Sequence, residues 1–312
     1  MSMCLVTGGA GFIGSHIVRR LLDKGRSVRV LDDLSTGKAG NLDQVASQIE
    51  FVQGDICDMP TVERCIKGVD VVFHLAARAS VPRSVEHPRP TNEVNVTGTL
   101  NMLIAAHEAG VQRLVYSASS SAYGDTPTLP KREDMRPHPQ SPYAVSKLTA
   151  EHYCSTWAHV YGLQTVSLRY FNVFGPRQDP ESAYAAVIPA FVSQLLKGQQ
   201  PVVYGDGEQS RDFCYIENVV NANMLGAEAP DVHGEVVNIA CGERTTLNVI
   251  LADLNRMLGT DIAAEYQPPR KGDVRHSLAD VSEAKRVIGY EPGVLFAEGL
   301  ERSLEWYKAN LA

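Results

Sequence analysis

The chain has 312 residues, of which 44% are hydrophobic and 21% are charged, and its formal net charge at pH 7 is −7. These proportions are ordinary for a soluble globular protein, and the length predicts two lobes rather than a single core. The negative charge and the absence of a basic run argue against a nucleic-acid-binding protein. Apolar runs stay well short of about 18 residues, so no membrane span is predicted.

The cysteines and histidines favour neither a disulfide framework nor a metal site. The nine histidines form no metal-like cluster in the sequence, so no bound metal is predicted. The six cysteines show no CxxC or zinc-type spacing, which is typical of a reducing compartment. A strand and a glycine-rich turn begin at residue 3, which leaves no room for a signal peptide. We therefore expect a cytoplasmic protein.

A glycine-rich turn follows the first predicted strand. Residues 3–7 form an apolar run that suits a buried parallel strand, and Gly8, Gly11 and Gly14 follow at intervals of three before a helical pattern begins. The first glycine permits a tight turn, the second lets a phosphate approach the backbone, and the third lets helix and strand pack closely. The pyrophosphate of a dinucleotide would lie at the positive end of that helix.

An acidic residue completes this pattern. The helix ends at Gly25, a second strand is predicted over 28–31, and Asp32 follows at eighteen residues beyond Gly14, where a ribose-binding carboxylate is expected. Asp32 and Asp33 would repel a 2′-phosphate, so NAD is favoured over NADP. The alternative is a strand, turn and helix that bind no ligand.

The alternation of strands and helices continues along the first half of the chain. Strands are predicted over 49–53, 69–75 and 114–117, with helices over 61–67 and 94–109. Such alternation predicts a parallel, doubly wound sheet, which is an α/β fold of the Rossmann type.

The ends of these strands carry further candidate cofactor residues. Asp55 follows the third strand and is placed to contact an adenine amine, although a surface-turn aspartate is the alternative. Ala76 and Ala77 end the fourth strand, and their small size leaves room for a cofactor in the crevice. Ser119 follows the fifth strand and should emerge at the same edge of the sheet.

A helix start further on presents a candidate base. Ser141 can cap the helix, Pro142 suits its first turn, and no further Pro or Gly occurs until Gly162. Tyr143 and Lys147 then project from one face. An ammonium beside a phenol lowers the pKa of the phenol, which would allow Tyr143 to act as a base near neutral pH. Ordinary surface residues of a helix are the alternative.

The glycine pattern, Asp55, the Ser119 loop and the pair Tyr143 and Lys147 together resemble the extended short-chain dehydrogenase/reductase superfamily over almost the entire chain. Within it the chain resembles nucleotide-sugar 4-epimerases, the relatives of UDP-galactose 4-epimerase. The resemblance implies that Tyr143 is the catalytic base and acid, and that Lys147 holds the nicotinamide ribose and lowers the pKa of Tyr143. It implies that Ser119 hydrogen-bonds the sugar 4-OH and helps to relay its proton.

The resemblance also implies domains, an assembly and two sets of ligand contacts. Residues 1–172 would form the NAD-binding domain, rejoined by the chain around 212–242, and residues 173–312 the nucleotide-sugar-binding domain. Two helices, predicted over 94–109 and 143–159, would pair in a homodimer. The residues implied to contact NAD are Gly8, Gly11, Phe12, Ile13, Gly14, Asp32, Asp33, Ser35, Thr36, Gly37, Asp55, Ile56, Leu75, Ala76, Ala77, Asn95, Ser117, Tyr143, Lys147, Tyr170 and Val173. Those implied to contact the UDP-sugar are Ala79, Ser80, Val81, Ser119, Ser120, Ser121, Tyr143, Asn172, Val187, Ile188, Val203, Tyr204, Arg211, Arg270, Asp273 and Ser277.

Three residues of the second set have specific expected roles. Tyr204 could stack on a uracil ring, or it could be plain strand core. Arg211 and Arg270 could each grip diphosphate oxygens bidentately. A helix is predicted over 183–196, and its residues Val187 and Ile188 would line the nucleotide pocket.

Two positions narrow the implied reaction and its sugar. Sugar dehydratases of the superfamily carry an Asp-Glu pair after the hydroxyl residue, whereas this chain has Ser120 and Ser121, so water elimination would lack its catalysts. Galactose-only epimerases of the bacterial type tend to carry a bulky tyrosine where this chain has Ser277, and serine leaves room for an N-acetyl group. The predicted reaction is therefore the NAD-dependent interconversion of UDP-GlcNAc and UDP-GalNAc. Alternatives are a UDP-glucose/UDP-galactose or dual-specificity 4-epimerase, a UDP-uronate 4-epimerase, and a non-catalytic NAD sensor.

Overall fold

The computed structural model describes residues 2–180, 186–269 and 274–311. In chain order, its strands are β1 (Met3–Thr7), β2 (Ser27–Asp32), β3 (Ile49–Gln53), β4 (Val71–His74), β5 (Arg113–Ser119), β6 (Gln164–Tyr170), β7 (Val173–Phe174), β8 (Val202–Tyr204), β9 (Ser210–Arg211), β10 (Cys214–Tyr215), β11 (Glu235–Ile239), β12 (Thr245–Thr246) and β13 (Glu265–Gln267). Its α-helices are α1 (Phe12–Asp23), α2 (Met59–Ile66), α3 (Val81–Glu86), α4 (Pro88–Asn92), α5 (Thr99–Glu108), α6 (Pro142–Tyr161), α7 (Val187–Leu196), α8 (Ile216–Glu228), α9 (Leu247–Leu258), α10 (Ser282–Ile288) and α11 (Phe296–Leu311).

Seven parallel strands form the main sheet, in the order β11-β6-β5-β4-β1-β2-β3. The direction of winding reverses between β1 and β4, because β2 and β3 continue on one side and β5, β6 and β11 on the other. The predicted doubly wound α/β fold is thus confirmed. In such sheets the ligand crevice lies outside the carboxyl ends of the strands at the point of reversal.

Helices cover both faces of this sheet, because successive side chains of a strand point to opposite faces. Leu5 and Val6 are both fully buried but pack into different clusters. Val6 packs with Ile17 of α1, whereas Leu5 packs with Met102 of α5. The strands are therefore near-continuous apolar runs, which is why the sequence pattern predicts a buried sheet.

The segment between β4 and β5 differs most from the predicted elements. A π-helix (Glu93–Gly98) precedes α5, where one continuous helix was predicted over 94–109. The short helices α3 and α4 stand before it, and both have Pro in the first turn, where its missing N–H costs nothing. The described part of the helix predicted over 183–196 begins at Val187, and 181–185 lie outside the described residues.

The later strands other than β11 pair in twos apart from the main sheet: β7 with β10, β8 with β13 and β9 with β12. The division of the chain into two domains at residue 172 stays a prediction. None of the described helices is long and apolar enough to span a bilayer.

A buried histidine lies at the carboxyl end of β4. The Nδ1 atom of His74 is 2.7 Å from the Thr7 hydroxyl, and its Nε2 atom is 3.0 Å from the Thr99 hydroxyl, which itself donates to the Asn95 carbonyl. The Nε2–H group therefore donates to Thr99, and Nδ1 accepts from Thr7. Burial, and secondly the charge of Lys147, lower the pKa of His74 to about 3.

This lowered pKa predicts a loss of stability in acid. In the unfolded chain His74 binds a proton near pH 6.5, whereas in the folded chain it stays neutral down to about pH 3, so the stabilisation present above pH 6.5 is lost as the pH falls. Between pH 7.5 and pH 5, the free energy of unfolding should fall by about 2 kcal/mol less in His74→Gln than in the wild type. Urea unfolding at both pH values measures it, and an equal loss in both proteins would contradict the assignment.

Candidate active site

A cleft of about 510 Å³ opens at the carboxyl ends of the strands, where the winding of the sheet reverses. It is called the large cleft below. Its lining includes 20 of the 21 residues that the sequence implied for NAD: Gly8, Gly11, Phe12, Ile13, Gly14, Asp32, Asp33, Ser35, Thr36, Gly37, Asp55, Ile56, Leu75, Ala76, Ala77, Ser117, Tyr143, Lys147, Tyr170 and Val173. Its size and position suit a dinucleotide.

The glycine turn at the base of the large cleft has no space for side chains. Gly8 has a φ of 70°, and a Cβ atom there would lie 2.8 Å from the Ala76 nitrogen. A Cβ atom on Gly14 would collide with the Gly8 carbonyl oxygen. Gly11 is the N-cap of α1 and provides no side chain to satisfy the first N–H groups of that helix. Those groups are available to an anion, as a pyrophosphate site requires.

Asp32 holds the glycine turn and the loop after β2 together, and its carboxylate is also placed to bind a ribose. Its carboxylate accepts hydrogen bonds from the Ala10 and Leu34 nitrogens, each at 2.9 Å, and only 6% of the residue is exposed. Burial raises the pKa of Asp32, and these two bonds oppose that rise. Each carboxylate oxygen has a second lone pair, so a ribose hydroxyl could still donate to it.

Asn95 is the predicted cofactor residue that does not line the large cleft. It is 1% exposed, and its side-chain oxygen accepts from the Arg78 nitrogen at 2.7 Å. Its amide nitrogen donates to the Ser146 hydroxyl at 2.9 Å. The contacts therefore position the loop after β4 against α6. Arg78 itself lines the cleft, and nothing in the local sequence pattern marked it.

The three predicted catalytic residues meet at one end of the large cleft. Ser119 ends β5, while Tyr143 and Lys147 occupy the first turns of α6. The predicted cap is present, because the Ser141 hydroxyl accepts from the Ala144 nitrogen at 3.1 Å. The Ser119 hydroxyl lies 2.8 Å from that of Ser121.

The electrostatics of this group differ from the sequence-based expectation. Burial raises the pKa of Tyr143, and the nearby Ser119 hydroxyl opposes that rise. Lys147 was expected to lower the pKa of Tyr143, but burial lowers the pKa of Lys147 itself to about 7. The Lys147 ammonium lies 4.4 Å above the ring of Tyr116. Among the protein's own groups, Ser119 therefore lowers the pKa of Tyr143, whereas Lys147 does not.

An ion pair one turn beyond Lys147 fixes the helix to the sheet. Glu151 of α6 accepts two hydrogen bonds from Arg169 of β6, at 2.7 and 2.8 Å, and both side chains are at most 4% exposed. The guanidinium of Arg169 also lies 4.7 Å from the centre of the Tyr123 ring. Bidentate geometry of this kind restricts both partners, so it orients the helix that carries the catalytic residues.

A second pocket, of about 320 Å³, adjoins the large cleft and is called the small pocket below. Ser119, Tyr170 and Asn172 line both. The predicted substrate residues that line the small pocket are Val81, Ser119, Ser120, Ser121, Asn172, Arg211 and Ser277. Lys131, Gln140 and Phe171 also line it and were missed, since no local pattern distinguishes them.

Ser277 is fixed in the wall of the small pocket. It is 8% exposed, and its hydroxyl oxygen accepts from the Asn172 side-chain nitrogen at 3.1 Å and the Asp212 backbone nitrogen at 3.3 Å. Asp212 is in turn held by three backbone N–H groups, those of Cys241, Gly242 and Ala279. With both lone pairs of Ser277 engaged, its hydroxyl proton can be donated to an acceptor.

Other predicted substrate residues lie elsewhere. The side chains of Val203 and Ile188 pack in the core at 0% and 1% exposure, so they make no wall of either pocket. Val187 and Tyr204 line neither pocket; Tyr204 ends β8, which pairs with β13.

The remaining predictions involve the loop after β4 and two positions outside the described residues. Ser80 caps α3 by accepting from the Arg83 nitrogen, whereas Ala79 lines the large cleft. Arg270 and Asp273 lie outside the described residues. Within the described ranges, no group of three or more His, Cys, Asp or Glu side chains could hold a metal ion.

Comparison with known proteins places the chain in a family. Residues 4–240 match the family model described as the NAD-dependent epimerase/dehydratase family. A UDP-glucose 4-epimerase of Mycolicibacterium smegmatis is 39% identical over 97% of this chain and 98% of its own length. The chain therefore belongs to the NAD-dependent epimerase/dehydratase family. It is an NAD-dependent enzyme of the extended short-chain dehydrogenase/reductase type.

Two solved structures resemble it over nearly its whole length. One is the UDP-N-acetylglucosamine 4-epimerase of Methanobrevibacter ruminantium M1 in complex with UDP-N-acetylmuramic acid, with a TM-score of 0.94 and 42% identity, covering 99% of this chain and 98% of that one. The other is the UDP-glucose 4-epimerase of Thermotoga maritima with UDP-glucose, with a TM-score of 0.95 and 41% identity, covering 99% and 100%.

Proposed function

We propose that this enzyme catalyses the reversible C4 epimerisation of UDP-GlcNAc and UDP-GalNAc through a 4-keto intermediate. One observation carries the proposal: Ser119 lines both the large cleft and the small pocket, and the Tyr143 phenol in the cleft is near enough for the Ser119 hydroxyl to oppose the rise in its pKa. An acid/base group thus stands where a nucleotide-sugar in the small pocket would meet a dinucleotide in the large cleft.

The residues of the large cleft suit NAD. The unpartnered N–H groups at the start of α1 would hold its pyrophosphate, and Asp32 its adenosine ribose. When bound, NAD supplies a hydride acceptor that can later return the hydride to either face of a carbonyl carbon.

Proton transfer is assigned to the chain's own residues. Tyr143 would remove the proton of the sugar 4-OH, and Ser119 would orient that hydroxyl and relay the proton. The same groups would return the proton once the keto sugar has presented its other face. Lys147 would hold the nicotinamide ribose at the same end of the cleft.

The small pocket favours epimerisation over elimination. Ser120 and Ser121 line it at the positions where the resemblance places the acidic pair of dehydratases. A serine hydroxyl has no ionised form near neutral pH that could serve as the second general base. The sugar is therefore oxidised and reduced at C4 without losing water.

The acetamido preference depends on Ser277. Serine leaves open the part of the wall that a larger side chain would fill, and its hydroxyl proton is free to be donated. An acetamido carbonyl oxygen is an acceptor of the required kind. Arg211 also lines the small pocket and would bind the diphosphate that joins the sugar to the nucleoside.

A UDP-glucose/UDP-galactose or dual-specificity epimerase is the second candidate, because UDP-glucose 4-epimerases are among the proteins that this chain resembles over nearly its whole length. A UDP-uronate epimerase and a non-catalytic NAD sensor are retained as weaker alternatives. The sensor would have no use for a candidate base beside Ser119.

An isotope experiment tests the proposed reaction at C4. UDP-GalNAc carrying deuterium at C4 is incubated with the enzyme in ordinary water, and the UDP-GlcNAc formed is examined by mass spectrometry. Because the hydride is removed and returned within one site, the product should retain nearly all of the deuterium at C4. Loss of deuterium to solvent would contradict the proposed mechanism.

Homodimerisation also remains a proposal. Val145 near the start of α6 is 49% exposed, and Val160 and Tyr161 at its end are 66% and 48% exposed. Exposed apolar side chains of this kind would be buried if α6 packed along its copy. Sedimentation equilibrium of the purified protein tests this, and a monomer at micromolar concentration would contradict it.

A further inference from the structure

Two ion pairs tie the loop after β2 to elements on either side of it. The Asp33 carboxylate lies 3.3 Å from the Arg78 guanidinium, in the loop after β4. The Lys38 ammonium lies 2.9 Å from the Asp179 carboxylate, in the segment after β7. Of these residues, Asp33, Arg78 and Asp179 line the large cleft. The loop over 33–38 is therefore fastened to other parts of the cleft wall near both of its ends.

The pair of Asp33 and Arg78 spans the glycine turn. In the sheet, β1 lies between β2 and β4, and the turn follows β1 at the same edge. A bridge from the end of β2 to the loop after β4 must therefore cross the carboxyl end of β1. A dinucleotide seated on the turn would be enclosed between the turn and this bridge.

Both partners of this bridge are held in place by other bonds. One carboxylate oxygen of Asp33 accepts from the Ser35 nitrogen at 2.9 Å, and the other oxygen faces Arg78. The backbone of Arg78 is bonded to Asn95, which is bonded to Ser146 of α6. The side chains of Arg78 and Asp33 are 24% and 32% exposed, so solvent screens this pair less than a fully exposed one.

We propose that Asp33 and Arg78 act together as a strap that retains NAD in the cleft between turnovers. The strap acts on the release of the cofactor and takes no part in the reaction itself. Arg78 and Asp33 are therefore positioning residues. An enzyme that regenerates its own oxidised cofactor gains from slow release, because each lost cofactor must be rebound before the next turnover. Asp33 is already among the residues implied to contact NAD, and its pairing with Arg78 would govern how fast the dinucleotide leaves.

The rate of NAD dissociation tests this proposal without any substrate. Purified enzyme is loaded with radiolabelled NAD, excess unlabelled NAD is added, and the retained label is followed by rapid gel filtration. In Arg78→Gln the dissociation rate should rise about three- to tenfold, since the pair is partly screened and each factor of ten corresponds to about 1.4 kcal/mol. Asp33→Asn should have a similar effect.

The double variant tests whether Arg78 and Asp33 act as a pair, and a matched control tests whether loss of an unrelated ion pair has the same effect. If the two residues act only as a pair, Arg78→Gln combined with Asp33→Asn should release NAD no faster than either single variant. Arg132→Gln breaks an exposed ion pair with Asp134 that lines neither pocket, and it should leave the rate unchanged. High salt should accelerate release from the wild type but not from Arg78→Gln.

Two results would overturn the strap. Unchanged release from Arg78→Gln, with a native circular dichroism spectrum, would show that the bridge does not hold the cofactor. Multiplied effects in the double variant would show that each residue contacts NAD separately. Neither result depends on which sugar the enzyme uses. A failure of the strap can therefore be distinguished from a failure of the proposed function.

Discussion

Tyr143→Phe is expected to lower the rate of epimerisation by about 10³- to 10⁴-fold while NAD remains bound. The substitution keeps the ring and removes only the hydroxyl that would take the sugar proton, so binding of the dinucleotide should change little. The loss should appear in kcat, measured with saturating UDP-sugar, and bound NAD is measured after denaturing the purified protein.

A tyrosine on the same helix supplies the control for that variant. Tyr153→Phe removes a hydroxyl from α6 at a position that lines neither pocket, and it should retain nearly full activity. Retention of activity by Tyr143→Phe would exclude Tyr143 as the base. Loss of bound NAD together with activity would instead assign Tyr143 a role in binding the cofactor.

Ser277→Tyr is expected to change the choice of sugar. A phenol ring at this position would fill part of the small pocket, so kcat/KM for UDP-GlcNAc and UDP-GalNAc should fall by about 100-fold or more, which corresponds to about 3 kcal/mol of overpacking. Turnover of UDP-galactose, which has only a hydroxyl at C2, should be largely spared. Initial rates with each UDP-sugar measure the effect.

Ser277→Ala separates the effect of the Ser277 hydroxyl from the effect of the open space in the pocket wall. Alanine keeps the wall open but removes the donor and the acceptor of the Asn172 contact, so a loss of about tenfold is expected with acetylated sugars. An equal loss on acetylated and non-acetylated sugars in Ser277→Tyr would contradict the assignment of this wall to the acetamido group.

Local patterns in the sequence were sufficient for the framework of the cofactor side. The spacing of Gly8, Gly11 and Gly14 and the position of Asp32 after β2 depend only on neighbouring residues. The resemblance implied the full set of 21 cofactor residues, of which 20 line the large cleft. The start of α6 was predicted for the same reason, because Ser141 caps the helix from three residues away.

Contacts between distant segments could not be predicted in this way. Asp33 and Arg78 are 45 residues apart, and Asn172 and Ser277 are 105 residues apart. Their pairing depends on the order of strands in the sheet and on the course of the later loops. Val203 lies in an apolar stretch whose pattern does not reveal whether it faces a pocket or the core, and it packs in the core.

The most direct test of the proposed function is separate incubation of the purified enzyme with UDP-GlcNAc, UDP-GalNAc, UDP-glucose and UDP-galactose, with the product sugars resolved by chromatography. We predict that each acetylated sugar is converted into its C4 epimer with a higher kcat/KM than its non-acetylated counterpart, and that no NADH accumulates. Equal or faster conversion of UDP-glucose and UDP-galactose would contradict the acetamido preference, and no conversion of any of the four would contradict the proposed reaction.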